Sequence, residues 1–277
     1  MGGITAHRRP LAVIGLALTF ALASAACTSE AEPTPSPKHN VELLNEGRLT
    51  VCTQLPYAPF QFRQKGKVVG FDVEILDLVA KELGVTQEIV DTPWEDITSG
   101  KGVKSERCDV AMAAITITDD RAKHMDFSDG YFAANQAMLV KAGKPYKELK
   151  DLKGKKVGVQ GETTGAAYVQ AEQKKQKLTF KVVEYEDFDG QQHALQTGQI
   201  DAAINDLPVW TEYLRVERHQ GKYEITAEFV TDEKYGVAVK QGNSKLLKVI
   251  NDVLADARAD GRYDRVYEKW FGMRPDA

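Results

Sequence analysis

The run ITITDDRAKHMDFSDGYF, residues 115–132, couples a strand-like apolar segment at 110–115 to the start of a helix. Thr118, followed by two acids and Arg121, has the form of a hydroxyl N-cap with open backbone N–H groups behind it. An arginine beside such donors suits a carboxylate, because its fork geometry and the helix polarity both favour an anion there. The other reading of Arg121 is a surface arginine paired with Asp119 or Asp126.

Outward from this run, strand and helix signals alternate. Residues 72–83 place Val73, Leu76, Val79, Ala80 and Leu83 on one helical face, and Gly84 ends it. A strand is expected at 87–90. A second alternation starts with a strand at 156–159, followed by a helix at 164–176 and a strand at 181–185. A helix then opens at Asp187 and ends near Gly198, a buried strand covers 202–204, and 207–218 is helical. Such alternation predicts an α/β fold, with parallel sheets covered by helices. Two units joined by residues 137–141, and again near 228–232, suggest two lobes. A strand at 235–240 and helices at 244–259 and 262–270 close the chain.

Charge narrows the function classes. The 277 residues carry 36 Lys and Arg against 40 Asp and Glu, and the lysines are scattered among acids. No aromatic-lined basic stripe exists, so nucleic acid is excluded as an expected partner. His39, His124, His193 and His219 show neither metal-ligand spacing nor a nucleophile partner, so no metal, cofactor or catalytic residue is expected. The start of the chain reads differently: His7, Arg8 and Arg9 precede an apolar run at 11–26, and then comes Cys27. That is an export signal, shorter than the ~20 residues of a comfortable membrane span. Residues 22–27 resemble a bacterial lipoprotein cleavage site with Cys27 as the lipidated residue, although Ser24 stands where such sites prefer Leu. Ordinary cleavage near Ala26 is the alternative. Pro33, Pro35 and Pro37 among small polar residues make an extended spacer after it.

Taken with Tyr57-Ala58-Pro59-Phe60 upstream and Gly161-Glu162-Thr163-Thr164-Gly165 downstream, the opening run resembles, in order, the amino-acid-binding bacterial extracellular solute-binding proteins that feed ABC importers. The resemblance covers residues 46–271. It implies a two-lobed type II periplasmic-binding-protein fold, each lobe a mostly parallel sheet flanked by helices, joined by a two-stranded hinge. The expected parts are a signal peptide at 1–26, an anchored spacer at 27–45, lobe I at 46–138 plus 231–277, and lobe II at 139–230. It also makes Cys52 and Cys108 neighbours in one sheet, and export makes a disulfide reasonable there; two separate buried thiols are the other reading.

The resemblance assigns residues as well. Arg121 and Thr116 match the carboxylate clamp of one lobe, and Thr164 matches a donor to the same carboxylate from the other. Thr163 either joins it or merely caps the helix. The match of Asp206 is an aspartate binding the α-ammonium, while Asp before Leu-Pro is equally an ordinary helix N-cap. Tyr57 and Trp94 match aromatic walls of the ligand site, positions that otherwise read as core. Gln54 and Gln160 match side-chain-facing positions. Two uncharged carboxamides, each offering donor and acceptor, suit glutamine or asparagine first and glutamate or aspartate next. Arginine and lysine are disfavoured by the lack of an acid at Gln54. The expectation is therefore a monomeric, lipid-anchored capture protein on the outer face of the cell membrane, serving an ABC permease. Dehydratases on the same fold, and lipoproteins reporting to a membrane kinase, are the alternatives.

Overall fold

The structure is a computed structural model and describes residues 39–275. The expected signal peptide, the expected lipidation site Cys27 and most of the expected spacer lie outside the described residues. The last spacer residues do not: Val41 and Leu43 pack on the core, and the Leu44 N–H donates to Asp109 at 2.8 Å. Two apolar side chains in five residues are enough to hold this stretch to the body.

Two five-stranded sheets form the body. In the first, the order is Thr86–Asp91, Arg48–Thr53, Val110–Ala111, Ala238–Val239, Asp126–Phe127. In the second it is Tyr223–Tyr235, Phe132–Lys141, Ala202–Asp206, Lys156–Gln160, Lys181–Tyr185. Both are mixed. Three strands of each run parallel, and the late-returning or crossing strands add antiparallel pairs. The parallel strands are buried apolar runs such as Leu49–Cys52 and Ala202–Ile204, as helices on both faces require.

Helix ends obey local chemistry. Phe71–Leu83 stops at Gly84 and Phe188–Thr197 at Gly198, both glycines in the left-handed region. Thr118, Thr163 and Asp187 each accept an N–H of their helix's first turn. Asp206 does not: it stands at the N-cap of Leu207–Arg215, yet its carboxylate makes no cap bond.

The expected strand at 110–115 is only two residues long. Beyond it Ala114 turns into positive φ (50°), and its N–H donates to the buried Asp72 at 2.8 Å. The chain that a strand would have carried straight on is thereby bent towards the cleft. Val51 and Cys52 pair with Val110 and Ala111, and Cys52 is disulfide-bonded to Cys108 with the Cα atoms 5.6 Å apart.

Two strands pass between the sheets, Phe132–Lys141 and Tyr223–Tyr235, paired antiparallel. Residues 136–140 pair with 202–206 inside the second sheet, so the crossing lies slightly before the segment the sequence suggested. At its first-lobe end, Phe132 and Tyr235 pair and stack at 5.5 Å within an aromatic cluster that includes Phe60 and Phe271. Between Phe229 and Glu233 the ladder breaks. Residues 230–232 bulge out, with Asp232 at φ 51°.

Candidate ligand site

The carboxyl ends of the parallel strands of both sheets face one cleft, where open α/β sheets place their ligands. Gln54 follows the strand Arg48–Thr53; Gln160 and Asp206 end the strands Lys156–Gln160 and Ala202–Asp206. The cleft is nearly closed and is lined by Gln54, Tyr57, Trp94, Thr116, Arg121, Gln160, Thr163, Thr164 and Asp206. Those are the nine residues singled out from the sequence. Gln61, Ala113, Ala114 and Asn205 complete the lining.

Arg121 is not a surface residue. It is 8% exposed, and Trp94 lies under its guanidinium with 5.3 Å between the guanidinium carbon and the ring centre. Nη1 donates to the Thr116 carbonyl at 2.8 Å and Nη2 crosses the cleft to the Glu162 carbonyl at 2.9 Å. Among the described residues, no carboxylate forms an ion pair with it; Asp119 and Asp126 are not its partners. Burial lowers its pKa, opposed by the charges of Asp206, Glu233 and Glu162. An arginine stays protonated through such a shift, so a buried cation faces the cavity without an anion bonded to it.

Asp206 stands among donors. Its Oδ2 accepts from the Tyr57 hydroxyl at 2.8 Å and from the Tyr235 hydroxyl, and Oδ1 accepts from Gln136 Nε2. Burial and the nearby Glu233 charge push its pKa up to about 6, against the pull of these three donors. A carboxylate has about four lone-pair sites, so room for a further donor remains. The residue thus acts as a cavity acceptor, and its helix start goes without a side-chain cap.

Thr163 has its hydroxyl committed, donating to the Gln160 carbonyl at 2.7 Å while accepting from Ala166 N–H. Thr164 and Thr116 approach each other across the cleft at 3.4 Å, and both donate to Glu233 Oε2, at 2.8 and 3.1 Å. Gln160 Nε2 donates to Gln54 Oε1 at 2.8 Å. That bond leaves Gln54 Nε2 and Gln160 Oε1 outside it, one donor and one acceptor. Tyr57 is more than an apolar wall, since its hydroxyl spans the lobes to Asn205 (2.7 Å) and Asp206. Gly165 makes room for a side chain: a Cβ there would lie 2.5 Å from Gln136 Oε1.

Sequence reasoning missed Asn205, Gln136, Tyr235 and Glu233. Asn205 had a signal, a polar residue closing an apolar strand just before Asp206. The other three reach the site from the crossing strands, over sequence separations of 29 to 97 that no local pattern encodes.

Two lobes, a hinge of paired strands and a buried charged cleft between them define a solute-binding protein of the type II periplasmic class. The chain belongs to the bacterial extracellular solute-binding proteins, family 3, matching it over residues 49–156 and 144–273. It is 33% identical to a probable histidine-binding protein of Neisseria gonorrhoeae over 258 residues, 91% of each chain. It is 35% identical to the ABC transporter glutamine-binding protein GlnH of Bacillus subtilis, over 76% of this chain and 75% of the other. Among solved structures, an ancestral arginine-binding protein bound to glutamine is similar, at 39% identity and TM-score 0.76. That match covers 83% of this chain and all of the other.

Proposed function

We propose that this protein captures a polar amino acid, glutamine or glutamate first and asparagine or aspartate next, and delivers it to the permease of an ABC importer. The observation that carries the reading is Arg121, a buried guanidinium bonded only to backbone carbonyls, sharing a cavity with Asp206. A cation and an anion buried in one cavity complement the α-carboxylate and α-ammonium of a zwitterion, and burial strengthens both contacts. Thr116 and Thr164, one from each lobe, flank the carboxylate position, so the solute draws the lobes together. A ligand drives closure only through its higher affinity for the closed form.

The side-chain preference rests on Gln54 and Gln160. Their mutual hydrogen bond leaves the amide NH2 of Gln54 and the carbonyl oxygen of Gln160, the complement of a carboxamide. Arginine and lysine find no acid at Gln54. Relatives named for histidine and glutamine, and an ancestral arginine-binding protein holding glutamine, agree with an amino-acid solute. These groups recognise charge and shape; the reading is of a binding protein, monomeric, attached through Cys27 to the outer face of the cell membrane.

The test is a thermal-shift panel of the twenty amino acids. A rise in Tm with glutamine or glutamate, and none with arginine or lysine, is the expected pattern. A rise with basic amino acids alone would contradict the side-chain assignment, and no rise with any would contradict the amino-acid reading.

A further inference from the structure

Glu233 is the acidic residue at this cleft that the capture mechanism leaves without a task. It follows the hinge bulge, where Asp232 at φ 51° re-aims the strand so that Glu233 points between the lobes. Its Oε2 accepts from Thr116 of the first lobe, from Thr164 of the second, and from Gln136 Nε2 of the other hinge strand at 3.2 Å. One carboxylate oxygen therefore ties both lobes and the hinge together.

A threonine hydroxyl carries a single hydrogen. While Thr116 and Thr164 donate to Glu233, neither can donate to a solute carboxylate. We infer that Glu233 is an interlobe latch and a resident competitor: it holds the protein's own cleft partly closed and must yield both hydroxyls before a solute carboxylate is fully bound. This rests on the assignment of Thr116 and Thr164 to that carboxylate. Capture is then an exchange of one carboxylate for another. Its affinity is reduced by the fraction of protein in which the latch is made, as for any ligand that binds only part of a population.

The test uses the full chain with Glu233→Gln, which keeps size and an acceptor, and Glu233→Ala, which removes both. Solution scattering of the free proteins reads the latch, and titration with L-glutamine reads the competition. Both variants are expected to have a larger radius of gyration than the unsubstituted protein, Glu233→Ala the larger of the two. Both should bind glutamine about three- to tenfold more tightly. A merely structural Glu233 would weaken binding instead. Free proteins equally compact with and without Glu233 overturn the inference, and so does equal or weaker glutamine affinity. Should the unsubstituted protein bind none of the twenty amino acids, the capture reading falls by itself, and the scattering alone still decides the latch.

Discussion

At the scale of single residues, the proposed capture rests chiefly on charge. Arg121→Ala should weaken solute binding by at least about 100-fold, since it removes charge-assisted hydrogen bonds to the solute carboxylate. Arg121→Lys keeps the charge without the fork and should weaken it by about tenfold. Calorimetry of the two variants separates charge from geometry. Asp206 gives a pH signature with two opposite signs. Burial raises its pKa in the folded protein to about 6, above the 3.8 of an ordinary aspartate. Its contribution to folding stability is therefore present in full at acid pH and is lost as pH rises through 6. Solute affinity runs the other way, because a protonated Asp206 cannot pair with an ammonium. The apparent Kd should rise as pH falls below 6, and Asp206→Asn should weaken binding and flatten that profile. Affinity independent of pH between 5 and 7 in the unsubstituted protein would remove Asp206 from the ammonium site. The cleft positions of Arg121 and Asp206 were legible through the family resemblance of their local motifs; position alone read them as a surface arginine and a helix cap. Their partners Gln136, Tyr235 and Glu233 were not legible, since the fold alone brings the hinge strands to the cleft.

At the scale of elements, the boundaries legible in the sequence were those with a chemical stop. Glycines in the left-handed region end the helices Phe71–Leu83 and Phe188–Thr197, and side-chain caps open Thr164–Gln176 and Ser244–Ala259. The strand at 110–115 was misread because a run of apolar residues also suits a buried non-strand path. Ala114 leaves the β region there, and tertiary contact with Asp72 holds it. The pairing of Cys52 with Cys108 ties the strand Arg48–Thr53 to the start of its neighbour across a separation of 56 residues. By loop entropy, reducing it should cost about 4 kcal/mol. Urea unfolding with and without reductant checks this, and a cost below about 1 kcal/mol would mean the first lobe is held by its core alone.

At the scale of the whole molecule, the two lobes meet through polar side chains such as Gln54 with Gln160, and through the edge-to-face contact of Tyr57 with Phe188 at 5.3 Å. Phe132 and Tyr235 anchor the crossing strands in the first lobe, and the bulge at 230–232 is where the pairing gives way. On the proposed reading, motion about that point would let a solute enter and bring Thr116, Thr164, Gln54 and Gln160 together around it. Saturating glutamine should reduce the radius of gyration in solution scattering, and Arg121→Ala should abolish the change. The two-lobed plan was legible because its α/β alternation is local and repeats; which strands cross, and where they bend, depends on pairings between distant residues. The most direct measurement is isothermal titration calorimetry of glutamine and glutamate into the unsubstituted protein and into Arg121→Ala. Roughly micromolar binding, about −8 kcal/mol, is expected in the first and none measurable in the second. Equal binding in both would contradict the zwitterion clamp on which the account rests.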